Sequence, residues 1–207
     1  MQKYSISNVK RALDFYKFVK NHYWNLRSLI RKYRLVLRFI FIFLGSYFLF
    51  SSLYNGFLIL YDTENPVPDP ITQLVARQSG TLMQEFGYDN VEVVMHYTGL
   101  SMKLMVDDYF LAGIVEGCNS ASIIILFSSF ILAFFGKTVT TLLYLFVGSV
   151  IIYVINILRI VILAVGIYEY PQYSGFMHSI FFPLAIYGTV FILWLIWVRI
   201  YSRWNRK

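Results

Sequence analysis

Cys118, Arg159 and His178 are the residues whose types can do chemistry together in this chain. A thiolate is a nucleophile, and a free thiol has a pKa of about 8.5, so it is active at neutral pH only where its surroundings favour the anion. An arginine fork keeps its charge and suits a developing oxyanion or a substrate carbonyl. A histidine titrates near neutrality and can carry a proton to a leaving amine. The set therefore reads as thiolate attack on a peptide carbonyl, a thioester, and resolution by an amine or by water. Glu116 and Asn119 flank the thiol, either orienting His178 or Arg159 or capping a helix. Asn156 lies one helical turn before Arg159 on the same face, as its hydrogen-bond partner or as a helix-packing residue. Each residue also has a plainer role. A lone cysteine is usually a small buried hydrophobe, a histidine at a helix end is often interfacial, and an arginine can snorkel to headgroups.

The spacing acquires meaning once the elements that carry it are placed. The 207 residues are 58% hydrophobic and 14% charged. A soluble domain has about 45–50% apolar and about 25% charged residues. An ordinary soluble globule is excluded, and so is disorder. The net charge of +7 does not indicate nucleic acid, because the basic residues flank apolar stretches rather than covering a polar domain. One cysteine excludes a disulfide framework and a cysteine-based zinc site. His22, His96 and His178 are scattered, so no metal is expected, and no glycine-rich phosphate loop suggests a nucleotide cofactor. The expected class is an all-α polytopic membrane protein in contact with lipid, with a small α/β segment outside the bilayer.

A transmembrane helix needs roughly 20 mainly apolar residues. Four stretches qualify, at 39–61, 119–136, 139–168 and 179–198, the second short unless part of 111–115 dips in with it. Residues 1–38 hold ten Lys and Arg, and Lys137 and the tail 199–207 add five more of the eighteen. The segment 62–118 holds two, with nine of the eleven acids. By the positive-inside rule both termini face the cytoplasm, and 62–118 and 169–178 face outward. Cys118 then opens the second span, where helix N-terminal N–H groups favour an anion, and His178 opens the fourth. Arg159 lies about 21 residues up the third span, a rise of roughly 31–33 Å that brings it to the outer edge of the hydrocarbon. An ionisable residue inside a span is a functional candidate by default.

Elsewhere, residues 1–34 are too polar and basic for a cleavable signal peptide, and 8–34 read as a basic amphipathic helix on an anionic leaflet or as a solvated flank. Asp69-Pro70 signals a helix start running to about residue 86, and 91–96 with 102–106 suggest a hairpin around Thr98-Gly99. Tyr173, Phe176 and that hairpin are the nearest candidates for a substrate groove.

Glu116-Gly117-Cys118-Asn119-Ser120 at the start of a span resembles the nucleophile motif of the exosortase/archaeosortase family, most of all its exosortase F branch. Asn156-Ile157-Leu158-Arg159 resembles that family's arginine motif, and His178 its histidine motif, in the family's order. The resemblance covers about 111–198, and four spans would make a compact member. It implies a membrane-embedded cysteine transpeptidase in a bacterial inner membrane, with Cys118, Arg159 and His178 catalytic. Its substrates would be exported proteins carrying a C-terminal motif, a hydrophobic span and a basic tail. These would be cut at the outer face and passed to an unknown surface acceptor. An interfacial cysteine protease with water as acceptor uses the same thioester. A non-enzymatic membrane scaffold and a cysteine-dependent acyltransferase are the other readings.

Overall fold

The structure is a computed structural model that describes residues 30–64, 67–96 and 101–204. The chain divides into two units, 1–42 and 43–207. Most of the basic amphipathic segment at 8–34 and the Thr98-Gly99 turn lie outside the described residues. Among the described residues, three helical stretches are long and apolar enough to cross a membrane: Arg34–Tyr61, Thr138–Glu169 and Pro171–Ser202. The first belongs to α1 (Arg34–Glu64), whose apolar side chains, such as Leu53 and Leu60, are exposed, as lipid-facing residues are.

The second expected span differs. Helix α3, Ala121–Ala133, has 13 residues and rises roughly 20 Å, against about 30 Å of hydrocarbon. Residues 111–115 do not lengthen it, because 109–114 pair as a strand. The class stands as an all-α polytopic membrane protein with a small sheet, but α3 is too short to span by itself.

Between α1 and α3 lies a small α/β layer. Helix α2, Pro70–Glu85, starts where Asp69 caps it: its carboxylate accepts from Ile71 N at 2.9 Å and Thr72 N at 3.1 Å, and Pro70 supplies a preset φ. It ends in a Schellman motif. Gly87 takes φ +91°, Tyr88 N donates to Met83 O, and Gly87 N donates to Gln84 O. Strands β1 (Val91–Met95), β2 (Met102–Val106) and β3 (Tyr109–Ile114) form an antiparallel meander in that order. Asp107 and Asp108, both at positive φ, make the two-residue turn between β2 and β3, as a hairpin twist requires. The hairpin read from the sequence thus continues into a third strand.

Two apolar clusters hold the second unit together. In one, α2 (Val75, Ala76, Met83) and part of α4 (Thr138–Glu169; Ile160, Val161, Ala164) join the sheet residues Leu104, Val106, Leu111 and Ile114. In the other, α3, α4 and α5 (Phe182–Trp204) meet through Phe127, Ile131, Ile152, Val190 and Trp197.

Candidate active site

Strand β3 ends at Ile114, and the chain makes one 3-10 turn, Glu116–Cys118, before α3. Cys118 N donates to Val115 O at 2.8 Å. Cys118 therefore precedes α3 by three residues and is not in its first turn, as the sequence had suggested. Ser120, at φ 66°, makes the change of direction into the helix.

Cys118 is half-buried. Its carbonyl accepts from Asn156 Nδ2 at 2.7 Å, and Asn156 is buried on α4. Asn156 is thus neither a partner of Arg159 nor a plain packing residue: it ties the backbone of the thiol-bearing turn to the helix that carries the guanidinium. Asn119 does not orient Arg159 or His178 either. Its Oδ1 accepts from Ala121 N at 2.9 Å, in the manner of a cap for α3. Its Nδ2 donates to Tyr54 Oη at 2.7 Å and to Thr72 Oγ1 at 3.1 Å, and the Thr72 hydroxyl donates to Asp69 Oδ2. Asp69, Thr72 and Asn119 are all buried. Burying polar groups is costly unless they are paired, so this chain of bonds fixes α1, the start of α2 and the residue after Cys118 to one another. Glu116 is exposed in the turn.

Cys118, Arg159 and His178 line one cavity of about 380 Å³. Its other walls are β3 from Phe110 to Ile114, the α4 residues Ile160, Leu163 and Ile167, and Ser174 and Gly175. His178 lies in a π-helical turn, Met177–Phe181, that leads into α5. The buried Phe182 supports both side chains. The Arg159 guanidinium carbon sits 5.4 Å from its ring centroid, and the His178 ring meets it edge-on at 6.3 Å. A guanidinium held by a ring face keeps its N–H groups free for a ligand, and Arg159 makes no hydrogen bond or ion pair among the described residues. Tyr173 and Phe176 line a separate cavity of about 680 Å³ with Phe86, Tyr88 and Tyr170, away from the thiol. Residues 91–96 of the hairpin do not line the thiol cavity, whereas β3 does. No group of three or more His, Cys, Asp or Glu that could hold a metal occurs among the described residues.

Sequence reasoning missed Tyr54, Asp69, Thr72 and Phe182 as neighbours of the site. Asp69 was legible as a helix start only. Tyr54 carried a signal, a hydroxyl inside an apolar stretch. Phe182 carried none among 19 phenylalanines.

A polytopic helical membrane protein with a thiol, a guanidinium and an imidazole on one cavity is the class defined by fold and site. The family model for transmembrane exosortases matches residues 37–196, more than three quarters of the chain. The chain belongs to the transmembrane exosortase family, and with it to the general role of a membrane transpeptidase or protease. No curated protein and no solved structure matches it.

Proposed function

We propose that this chain is a cysteine transpeptidase of the exosortase F type, cutting the C-terminal sorting signal of exported proteins at the outer face of a bacterial inner membrane. The observation that carries the reading is the shared cavity: the chain's one thiol, the Arg159 guanidinium and the His178 imidazole line the same space. His178 takes the thiol proton. Cys118 Sγ attacks the scissile carbonyl carbon, and Arg159 stabilises the oxyanion. The tetrahedral adduct collapses to a thioester as the C–N bond breaks, and His178 returns the proton to the leaving amine. An acceptor amine then attacks the thioester, gives its proton to His178, and releases the Cys118 thiol. Asn156 holds the Cys118 carbonyl from α4, and Asn119, the next residue, is held by Tyr54 and Thr72. The ten Lys and Arg of 1–38 and the nine acids of 62–118 support a cytoplasmic start to α1 and a site at the opposite face. There the cavity would receive a peptide bond just outside a substrate's own hydrophobic span.

The test is complementation in the native host with wild type, Cys118→Ala, Cys118→Ser and His178→Ala, each checked for abundance. Exported proteins with a C-terminal span and basic tail are followed by size and by attachment to a surface glycan or lipid. Each variant is expected to accumulate the uncut form. Normal processing in Cys118→Ala would remove the nucleophile and leave a membrane scaffold as the better account, while cut but unattached product would make the enzyme a hydrolase.

A further inference from the structure

The sheet ends at β3, and that edge borders the thiol. In the order β1-β2-β3, β3 pairs with β2 on one side only. Five consecutive β3 residues, Phe110 to Ile114, line the cavity that holds Cys118, Arg159 and His178. Among the described residues no backbone hydrogen bond joins β3 to any element but β2. An edge strand presents a row of unpaired N–H and C=O groups, and such an edge is a template for another extended chain. Proteins usually blunt or cover such edges; here α4 and the 174–178 segment form walls of a space that stays open beside β3. The strand then runs through Val115 into the turn that ends at Cys118.

We infer that β3 is the substrate-binding strand: an extended segment of the substrate polypeptide pairs with its free edge as a fourth strand, which brings the scissile carbonyl to Cys118. This deepens the thioester reading above and rests on it. The lining run offers roughly 13 Å of strand, enough to grip about four residues. The backbone supplies the binding groups, so affinity depends little on side-chain identity. Selectivity comes from the alternation of a strand, in which every second side chain points the same way. That set meets the apolar wall of Ile160, Leu163 and Ile167, so apolar side chains are favoured at alternate substrate positions. Gly113 is exposed, and a Cβ there would meet only the Phe110 ring, at 3.7 Å, so the strand is open at this point.

The test has a substrate arm and an enzyme arm. The probe is one exported protein from the host whose processing disappears in Cys118→Ala. Each of the six residues nearest its cut is replaced in turn by proline, which removes an N–H. Strand addition predicts alternation: every second proline lowers the processing rate by about tenfold or more, and the intervening ones far less. On the enzyme, Ala112 and Gly113 pair with Leu104 and Lys103, so one of the two directs its N–H to β2 and the other to the free edge. Of Ala112→Pro and Gly113→Pro, one is expected to lose folded protein, and the other to stay abundant while losing processing. Tolerance or uniform intolerance of proline in the substrate, or an abundant and fully active protein from both enzyme variants, would overturn strand addition and leave the nucleophile standing. Processing that persists in Cys118→Ala overturns the thioester reading itself, and this inference with it.

Discussion

The two apolar clusters of the second unit are built from different materials. The bundle cluster of α3, α4 and α5 is aromatic. Phe130 stacks on Trp194 at 4.3 Å, and Tyr144 lies 4.8 Å from Trp197. Two of its polar side chains bond to backbone carbonyls: Tyr144 Oη donates to Leu193 O and Trp197 Nε1 to Phe134 O. Trp194 Nε1 is buried there with no hydrogen-bond partner among the described residues. The sheet-side cluster is mainly aliphatic, and beside it the buried Asp69, Thr72 and Asn119 bond in a chain that reaches Tyr54, while the buried Asn156 bonds to the Cys118 carbonyl. A membrane chain needs the first kind of cluster simply to associate its helices. A linked polar network adds little net stability, because water is given up for each bond, but it allows one arrangement of its members. The bundle therefore carries stability, and the sheet side carries placement of the thiol.

Arg159→Lys is the hardest blow to that division. It keeps the charge and loses the planar fork against Phe182, and processing per folded molecule should fall by about a hundredfold at unchanged abundance. Near-normal processing would reduce Arg159 to a point charge. Gly148→Val strikes the bundle. A Cβ there would run into the Phe127 ring, so overpacking of about 1–3 kcal/mol should lower the yield of folded protein. Activity per folded molecule should hold, and a drop would show that the two clusters are not separable. Thr72→Val keeps shape and strands an Asn119 N–H, worth about 1–3 kcal/mol. The alkylation rate of Cys118 by iodoacetamide and the processing rate should both shift, and Thr72→Ser should restore both. An effect on yield alone would make the network structural.

The smallest expected effect concerns the turn between β2 and β3. Hydrogen bonds from Asn90, at 2.9 Å, and then from Tyr168, at 3.0 Å, hold the Asp107 carboxyl below the usual carboxylate range. A carboxyl lowered in the folded state stabilises above its unfolded pKa of about 3.9, and that contribution is lost as pH falls through the folded value. The melting temperature of wild type in detergent should exceed that of Asp107→Asn at pH 6, and the gap should close on acidification below about pH 4. A gap that stays constant would mean that Asp107 acts by geometry alone.

Long apolar stretches and the cysteine, arginine and histidine were legible in the sequence, because span length and charge cost are local properties of a chain in lipid. So was the start of α2, since Asp69 caps its own helix. The third strand was not. Residues 109–114 become a strand because the Asp107-Asp108 turn folds them back on β2, and their apolar side chains alone fit a membrane segment equally well. Nor did spacing reveal that Asn156 grips the Cys118 carbonyl, 38 positions away, or that Tyr54 and Thr72 meet at Asn119. Sequence by itself determined which stretches are apolar enough for lipid and which side chains are of types that can do chemistry. Only the tertiary structure decided which groups satisfy them and where the sheet edge lies, because hydrogen-bond partners and strand neighbours are set by the packing of distant segments.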